Sequence, residues 1–296
     1  MASGDGRTAH DRGAGGAARE VEATAPTVRC EAVTRFYRSP AGETHALRGV
    51  DAHFDAGTVS CVVGPSGSGK SSLLAVLALR EVPDGGQVWL AGARTVPAPR
   101  GARRRWRRDL VAWAPQRATE ALLPHLSAAD HVRHVARVRP GAAGADPVEV
   151  LAEVGLADRR RALPARLSGG EQQRLAVALA CLGDPPLVVA DEPTAELDDD
   201  SAALVLARFR RAAAAGSCVV VSTHDARVTT AAERVLLLRH GVLSTDARRG
   251  GGAETVIDST GRLQLPPHAL RLFPDGRAVL VVDDAGVRVV PPGPRP

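Results

Sequence analysis

The sequence predicts an α/β protein, a mainly parallel sheet with helices on its faces, followed by a small β-rich module. Three observations carry that prediction. Val59-Ser60-Cys61-Val62-Val63 reads as a buried strand running into a glycine-rich loop, and Lys70 to Leu79 follows as an apolar helix too long for a strand. Two further apolar strands, Leu187-Val188-Val189-Ala190 and Cys218-Val219-Val220-Val221, come later with helical sequence around them. Strands alternating with helices cover both faces of a sheet, the usual arrangement for parallel pairing.

The chain starts with a stretch rich in Gly, Ala and charge that has no apolar core, so 1–27 is expected to be a disordered tail and not a secretory signal. Val28 to Val33 begins the first strand. Residues 118–166 read as mostly helical, with breaks at Pro124, Pro140 and Pro147. The main unit spans 28–245. A Gly/Arg-rich linker at 246–253 follows, and short alternating strands define a second unit at 254–293. No run of about 18 apolar residues occurs, so no transmembrane helix is predicted.

The net charge is +5, but 33 acidic residues are interleaved with 38 basic ones, so nucleic acid is not an expected partner. The cysteines Cys30, Cys61, Cys181 and Cys218 are far apart in mostly apolar contexts, which predicts buried free thiols in a reducing compartment. His125, His131 and His134 read as a solvated helix face, and Arg103 to Arg108 as a solvated turn.

Lys70 is the only lysine; the other basic residues are all arginine. It lies in Gly64-Pro65-Ser66-Gly67-Ser68-Gly69-Lys70-Ser71-Ser72, a match to the phosphate-binding loop G-x-x-x-x-G-K-[ST]. A compact ammonium fits between two phosphates where arginine's rigid fork does not. Successive backbone N–H groups and a helix N-terminus can wrap a phosphate, and Ser71 can ligate Mg²⁺. At Leu187 to Glu192 an apolar strand ends in two carboxylates, Asp191 placed to hold Mg²⁺ and Glu192 to polarise an attacking water. Ser168 and Glu171 in Leu167-Ser168-Gly169-Gly170-Glu171-Gln172-Gln173-Arg174 are spaced as a capping box. Gly169 and Gly170 weaken that helix start relative to alanine, which makes sense where a ligand must come close to the backbone.

Leu167 to Arg174 resembles the signature of ATP-binding cassette ATPases, and 28–245 is similar to one such nucleotide-binding domain. The resemblance implies a phosphate-loop NTPase fold with a parallel sheet core, an antiparallel β subdomain and a helical subdomain. It implies ATP and Mg²⁺ as cofactors. Tyr37 matches the aromatic that stacks on adenine, Gln116 the Q-loop glutamine near the metal, Asp198 the D-loop aspartate and His224 the switch histidine at the γ-phosphate. Glu43 to Arg48, Leu122 to Pro124 and Thr194 to Asp198 resemble the lipoprotein-releasing and macrolide-exporter branch. Gly57-Thr58 replaces the more usual Gly-Glu, and Pro115 the usual Phe before Gln116. The resemblance further implies a head-to-tail homodimer, with Ser168 and Gly170 of one copy covering ATP at Lys70 of the other. It implies a separate integral-membrane permease, an exporter role and a peripheral cytoplasmic location. The alternative is a mechanical ATPase signalling to envelope or division machinery. Thr255 to Pro266 resembles the start of an AbrB-type swapped hairpin, with later strands in Arg277 to Val290 turning at Asp284-Ala285-Gly286.

Overall fold

The computed structural model describes residues 27–40, 42–96, 98–258, 261–265, 267–283 and 286–292 of the 296-residue chain. The tail predicted at 1–27 lies outside the described residues except for Thr27, as do Asp284 and Ala285 of the predicted turn.

Strands β1 (Val28–Ser39) and β2 (Gly42–Phe54) form a long hairpin, and β3 (Val59–Val63) leads through the glycine loop into α1 (Lys70–Leu77). Then come β4 (Gly85–Leu90), β5 (Ala93–Val96), α2 (Arg100–Asp109) and β6 (Val111–Ala114). Helices α3 (Ala128–Val138), α4 (Pro147–Ala152) and α5 (Gly169–Ala180) precede β7 (Leu187–Asp191), α6 (Asp199–Ala214), β8 (Cys218–Ser222) and α7 (Ala226–Ala231). Strands β9 (Arg234–Arg239), β10 (Val242–Arg248) and β11 (Ala253–Thr255), helix α8 (Pro267–Leu270) and the pair β12 (Val279–Asp283) and β13 (Gly286–Val290) complete the chain.

The central sheet has the order β11-β10-β9-β3-β8-β7-β6, parallel from β9 to β6 and antiparallel at β10 and β11. Its strands show the period of two directly. Leu187, Val189, Cys218 and Val220 join one core with α1 and the second sheet, ordered β2-β1-β4-β5. Val188, Ala190, Val219 and Val221 join the opposite core, with Val205 and Phe209 of α6 and Val228 of α7. Helix α1 is therefore apolar on nearly every side because it is clamped between two sheets. A third core, with Val132, Leu151, Leu156 and Leu175, holds the helical subdomain.

Pro140 and Pro147 open helical turns rather than end them, since an N1 proline loses no intrahelical bond. The predicted turn at Arg103 to Arg108 is the body of α2. His131 corrects the predicted solvated face. It is buried, its Nε2 accepts from the Leu123 amide at 2.8 Å, and its Nδ1 lies 2.9 Å from the Ser127 carbonyl. Those two bonds fix a neutral ring donating from Nδ1, and burial lowers its pKa. All four cysteines are buried and free, and burial pushes each thiol up to about 12.

The linker predicted at 246–253 is instead part of a hairpin. β10 runs to Arg248 and β11 pairs back on it, Thr245 opposite Thr255. Arg262 then donates to the Arg48 carbonyl at 2.6 Å, and Gln264 to the Arg239 carbonyl at 3.4 Å, which ties 261–265 to the main unit. Among the described residues no helix is long and apolar enough to cross a membrane.

Candidate functional site

At Gly64 and Gly69, the two ends of the loop 64–69, close backbone contacts leave no room for a side chain. Gly64 has φ +155°, and a Cβ there would lie 2.1 Å from the Leu238 carbonyl oxygen. Gly69, the residue before α1, has φ +103°, and its Cβ would lie 2.2 Å from the Ala46 carbonyl oxygen. The turn after β9 braces the loop, with the Gly241 amide donating to the Ser68 carbonyl at 3.0 Å. No side chain caps α1, so its first amides remain available to a ligand.

Lys70 is buried and donates to the Gly64 and Pro65 carbonyls at 2.9 and 3.3 Å. Both partners are neutral. A desolvated ammonium held only by carbonyls favours an anion beside it. The Ser68 hydroxyl is also buried and has no hydrogen-bond partner among the described residues. The loop thus presents a cation, an orphan hydroxyl and open amides, which fits a polyphosphate. Ser71 is exposed at the same helix start. Tyr37, from β1, donates to Glu81 at 2.6 Å and lies 3.1 Å from the Ser72 hydroxyl, with Arg35 stacked 4.7 Å over its ring. Burial and the Glu81 carboxylate raise the Tyr37 pKa.

The carboxylates stand at the C-terminal end of β7, next to β8, where Asp191 pairs with Ser222. Ser222 serves both acids. Its hydroxyl donates to Asp191 and accepts from the Glu192 amide at 3.1 Å. Glu192 has φ +47°, a left-handed conformation that costs about 1–3 kcal/mol for a non-glycine residue. Its carboxylate lies 3.0 Å from His224 Nε2 and accepts from the His224 amide at 3.3 Å. A hydroxyl and a buried carboxylate are the hard oxygen donors that suit Mg²⁺.

Gln116, Gly169, Gln173, Glu192 and Leu197 surround one cavity of about 360 Å³. The structure thereby brings together Gln116, the helix start at Gly169 and Glu192. The capping box at that helix start is complete: the Ser168 hydroxyl accepts from the Glu171 amide at 3.2 Å, and the Glu171 carboxylate from the Ser168 amide at 2.8 Å. Hydrogen bonding to that amide holds the Glu171 pKa below its usual range. Among the described residues, no hydrogen bond joins 168–171 to the phosphate loop. Asp198 accepts from the Ser201 amide at 2.7 Å as the N-cap of α6.

Sequence reasoning gave no individual role to Ser222, Thr194 or Arg227. Thr194 donates to Asp225 at 2.7 Å, and Arg227 grips Asp225 with two nitrogens while donating to the Leu197 carbonyl at 3.3 Å. The Arg227 hydrogen bonds hold the Asp225 carboxyl down at about 2. This network ties the loop after Glu192 to the helix after His224. Asp225 lies beside His224 in sequence, which was the available signal.

The family model for the ABC transporter matches residues 47–195. The chain is 34% identical to the macrolide export ATP-binding/permease protein MacB of Chlorobium luteolum over 88% of its own length and 40% of that protein's, so it spans less than half of that relative. It is 35% identical to the lipoprotein-releasing system ATP-binding protein LolD of Hyphomonas neptunium, over 74% of its own length and 96% of the relative's. Among solved structures it is similar to the dimeric post-hydrolysis state of the ATP-binding cassette MJ0796 bound to ADP and Pi, with TM-score 0.69, 29% identity, and coverage of 76% of this chain and all of that one. The phosphate loop, the acid pair and the capped glycine helix start therefore stand in a chain that belongs to the ABC transporter family and carries its ATPase domain.

Proposed function

We propose that this chain binds and hydrolyses ATP as the motor subunit of a transporter of the MacB and LolD kind, working through a separate integral-membrane permease as an exporter. The single observation that carries the reading is the buried Lys70 ammonium with only carbonyl partners, beside the orphan Ser68 hydroxyl. Loop residues 64–72 hold the β- and γ-phosphates, and Tyr37 offers a surface to adenine. Ser71, Gln116 and Asp191 hold Mg²⁺, which neutralises phosphate charge when bound. Glu192 orients the attacking water and His224 reads the γ-phosphate. The strained Glu192 backbone and its bonds to Ser222 and His224 fix the carboxylate before substrate arrives.

Two copies close head to tail, Ser168 and Gly170 of one covering the nucleotide at Lys70 of the other. The separation of 168–171 from the loop of its own chain supports that arrangement. Closure depends on the γ-phosphate, so hydrolysis opens the pair. The subunit sits peripherally at the inner face of the membrane. The unit expected at 254–293 begins inside the central sheet at β11, and the β12–β13 pair that follows serves pairing or regulation, since two strands bury too little to stand alone.

The test is Glu192→Gln. It retains ATP binding, loses hydrolysis by about a hundredfold or more, and accumulates closed dimers in ATP on size-exclusion chromatography. Near-normal turnover removes Glu192 from its role. A second reading, a mechanical ATPase acting on envelope or division machinery, shares this motor and is separated from the first by the architecture of the co-purified membrane protein.

A further inference from the structure

Five arginines, Arg80, Arg100, Arg103, Arg104 and Arg107, surround one cavity of about 490 Å³ between the segment that follows α1 and helix α2. Its remaining walls are Leu79 and Val82, so it contains no carboxylate. Among the described residues, none of the five forms an ion pair. Arginines without an ion pair occur elsewhere in the chain, but here five of them line a single cavity, whereas Arg35, Arg208, Arg227 and Arg234 each meet an acidic partner. Helix α2 itself is divided: Arg105 and Arg108 pair with Asp109 at the helix's far end, at 3.7 and 2.7 Å.

Arg80, Arg100, Arg104 and Arg107 are exposed and Arg103 is half-buried, and three further observations bear on the cluster. The Arg103 Nε is buried and has no hydrogen-bond partner among the described residues. Helix α2 has no side-chain cap and no acidic residue in its first turn, while Arg100 and Arg103 occupy that turn, where the helix dipole is already positive. A helix selected for stability alone would carry Asp or Glu there. Side chains around a space of that size lie within about a Debye length of one another, ~8–10 Å, so salt does not remove their repulsion. Arg80 is held in place, its guanidinium 5.3 Å from the ring centre of Trp113 on β6.

We propose that this cavity is an anion site for a phosphate-bearing ligand with more than one negative charge. Arginine's planar fork bonds phosphate bidentately, and five forks around one pocket give more donors than a single phosphate accepts. The volume falls in the range of small-ligand pockets, roughly 300–1,000 Å³. Two sources supply this chemistry: a soluble polyphosphate, or the headgroup of an anionic phospholipid. Because Arg80 also lines the groove containing Trp113 and Pro115, an anion that draws Arg80 off the indole changes the wall of that groove.

The experiment uses the full chain with its nucleotide site saturated by Mg²⁺ and a non-hydrolysable ATP analogue, so that the phosphate loop does not compete. Tripolyphosphate binding is measured by calorimetry, and co-sedimentation is measured with phosphatidylcholine vesicles with and without phosphatidic acid. The wild-type chain binds at least one probe, and Arg103→Gln/Arg104→Gln/Arg107→Gln weakens it at least tenfold. Tripolyphosphate alone assigns the soluble source, and phosphatidic acid vesicles alone assign the lipid source. Arg137→Gln/Arg161→Gln/Arg210→Gln removes the same charge elsewhere and leaves binding within twofold. Should the first triple variant melt early, Arg103→Gln and Arg103→Lys are read instead, both expected to weaken binding. The proposal is overturned if neither probe binds, if the cavity variants bind as tightly as the wild type, or if the control triple loses as much.

Discussion

The chain contains two helix starts led by glycine, and the structure gives their glycines opposite reasons. At the first, Gly69 before α1, the fold itself forbids a side chain, since a Cβ would meet the Ala46 carbonyl at 2.2 Å and φ is +103°. At the second, Gly169 in α5, nothing lies within 4 Å of an added Cβ, and Gly170 meets only the end of Leu197 at 3.2 Å. The caps differ in the same sense. Helix α1 has no side-chain cap, so its amides wait for a ligand, whereas α5 has a complete capping box and is finished without one. The first site is therefore internally constrained and chemically incomplete. The second is chemically complete, and nothing among the described residues requires glycine at Gly169.

The sharpest break of this comparison is Lys70→Ala, which removes the one ammonium from the incomplete site. Nucleotide affinity falls by about a hundredfold or more in equilibrium titration, as loss of a desolvated charge partner predicts. Unchanged affinity places the phosphates elsewhere. Next is Gly69→Ala, which forces a backbone shift and is expected to destabilise the nucleotide-free protein by on the order of 3 kcal/mol in urea denaturation. Its counterpart, Gly169→Ala, leaves the nucleotide-free protein as stable or more stable by about 0.5–1 kcal/mol, because alanine is the better helix former. In the head-to-tail pair proposed above, the added methyl group would stand between Gly169 and the facing copy's nucleotide, so hydrolysis is expected to drop by about tenfold. A Gly169→Ala protein that is destabilised or fully active ends the distinction.

The smallest effect concerns the network that joins the loop after Glu192 to α7. Asp225 has its folded pKa depressed to about 2, below the usual 3.8, chiefly by hydrogen bonds from Arg227. A depressed carboxylate stabilises the fold above its unfolded pKa and loses that contribution as pH falls through its folded one. Asp225→Asn is therefore less stable than wild type by on the order of 1 kcal/mol near neutrality, after discounting for solvent at this partly exposed pair. The gap closes between about pH 4 and about pH 2. A gap independent of pH over that window assigns the loss to packing.

Much of this was legible in the chain itself. The β3–loop–α1 unit is read from neighbours in sequence, and the apolar strands at 187 and 218 have one buried surface on each side, so an unbroken apolar run identifies them. The capping box follows from a spacing of three, and both of its bonds form. His131 was misread because its two partners, the Leu123 amide and the Ser127 carbonyl, bury a ring that helical spacing alone leaves in solvent. The expected linker failed for a similar reason. Glycine and arginine mark a flexible stretch in composition, but the pairing of Thr245 with Thr255 makes it a hairpin.

By itself the sequence determined what local rules govern: the helix starts, the two-sided strands, the phosphate loop and the order of the motifs. Each depends on residues within about one turn or one strand of each other. Only tertiary structure decided which glycines are crowded, that Ser222 holds both Asp191 and Glu192, that Asp225 and Arg227 lock the loop after β7, and that five unpaired arginines share one cavity. Those facts join residues distant along the chain, and the sheet register and helix packing that bring them into contact are set by burial of the whole core.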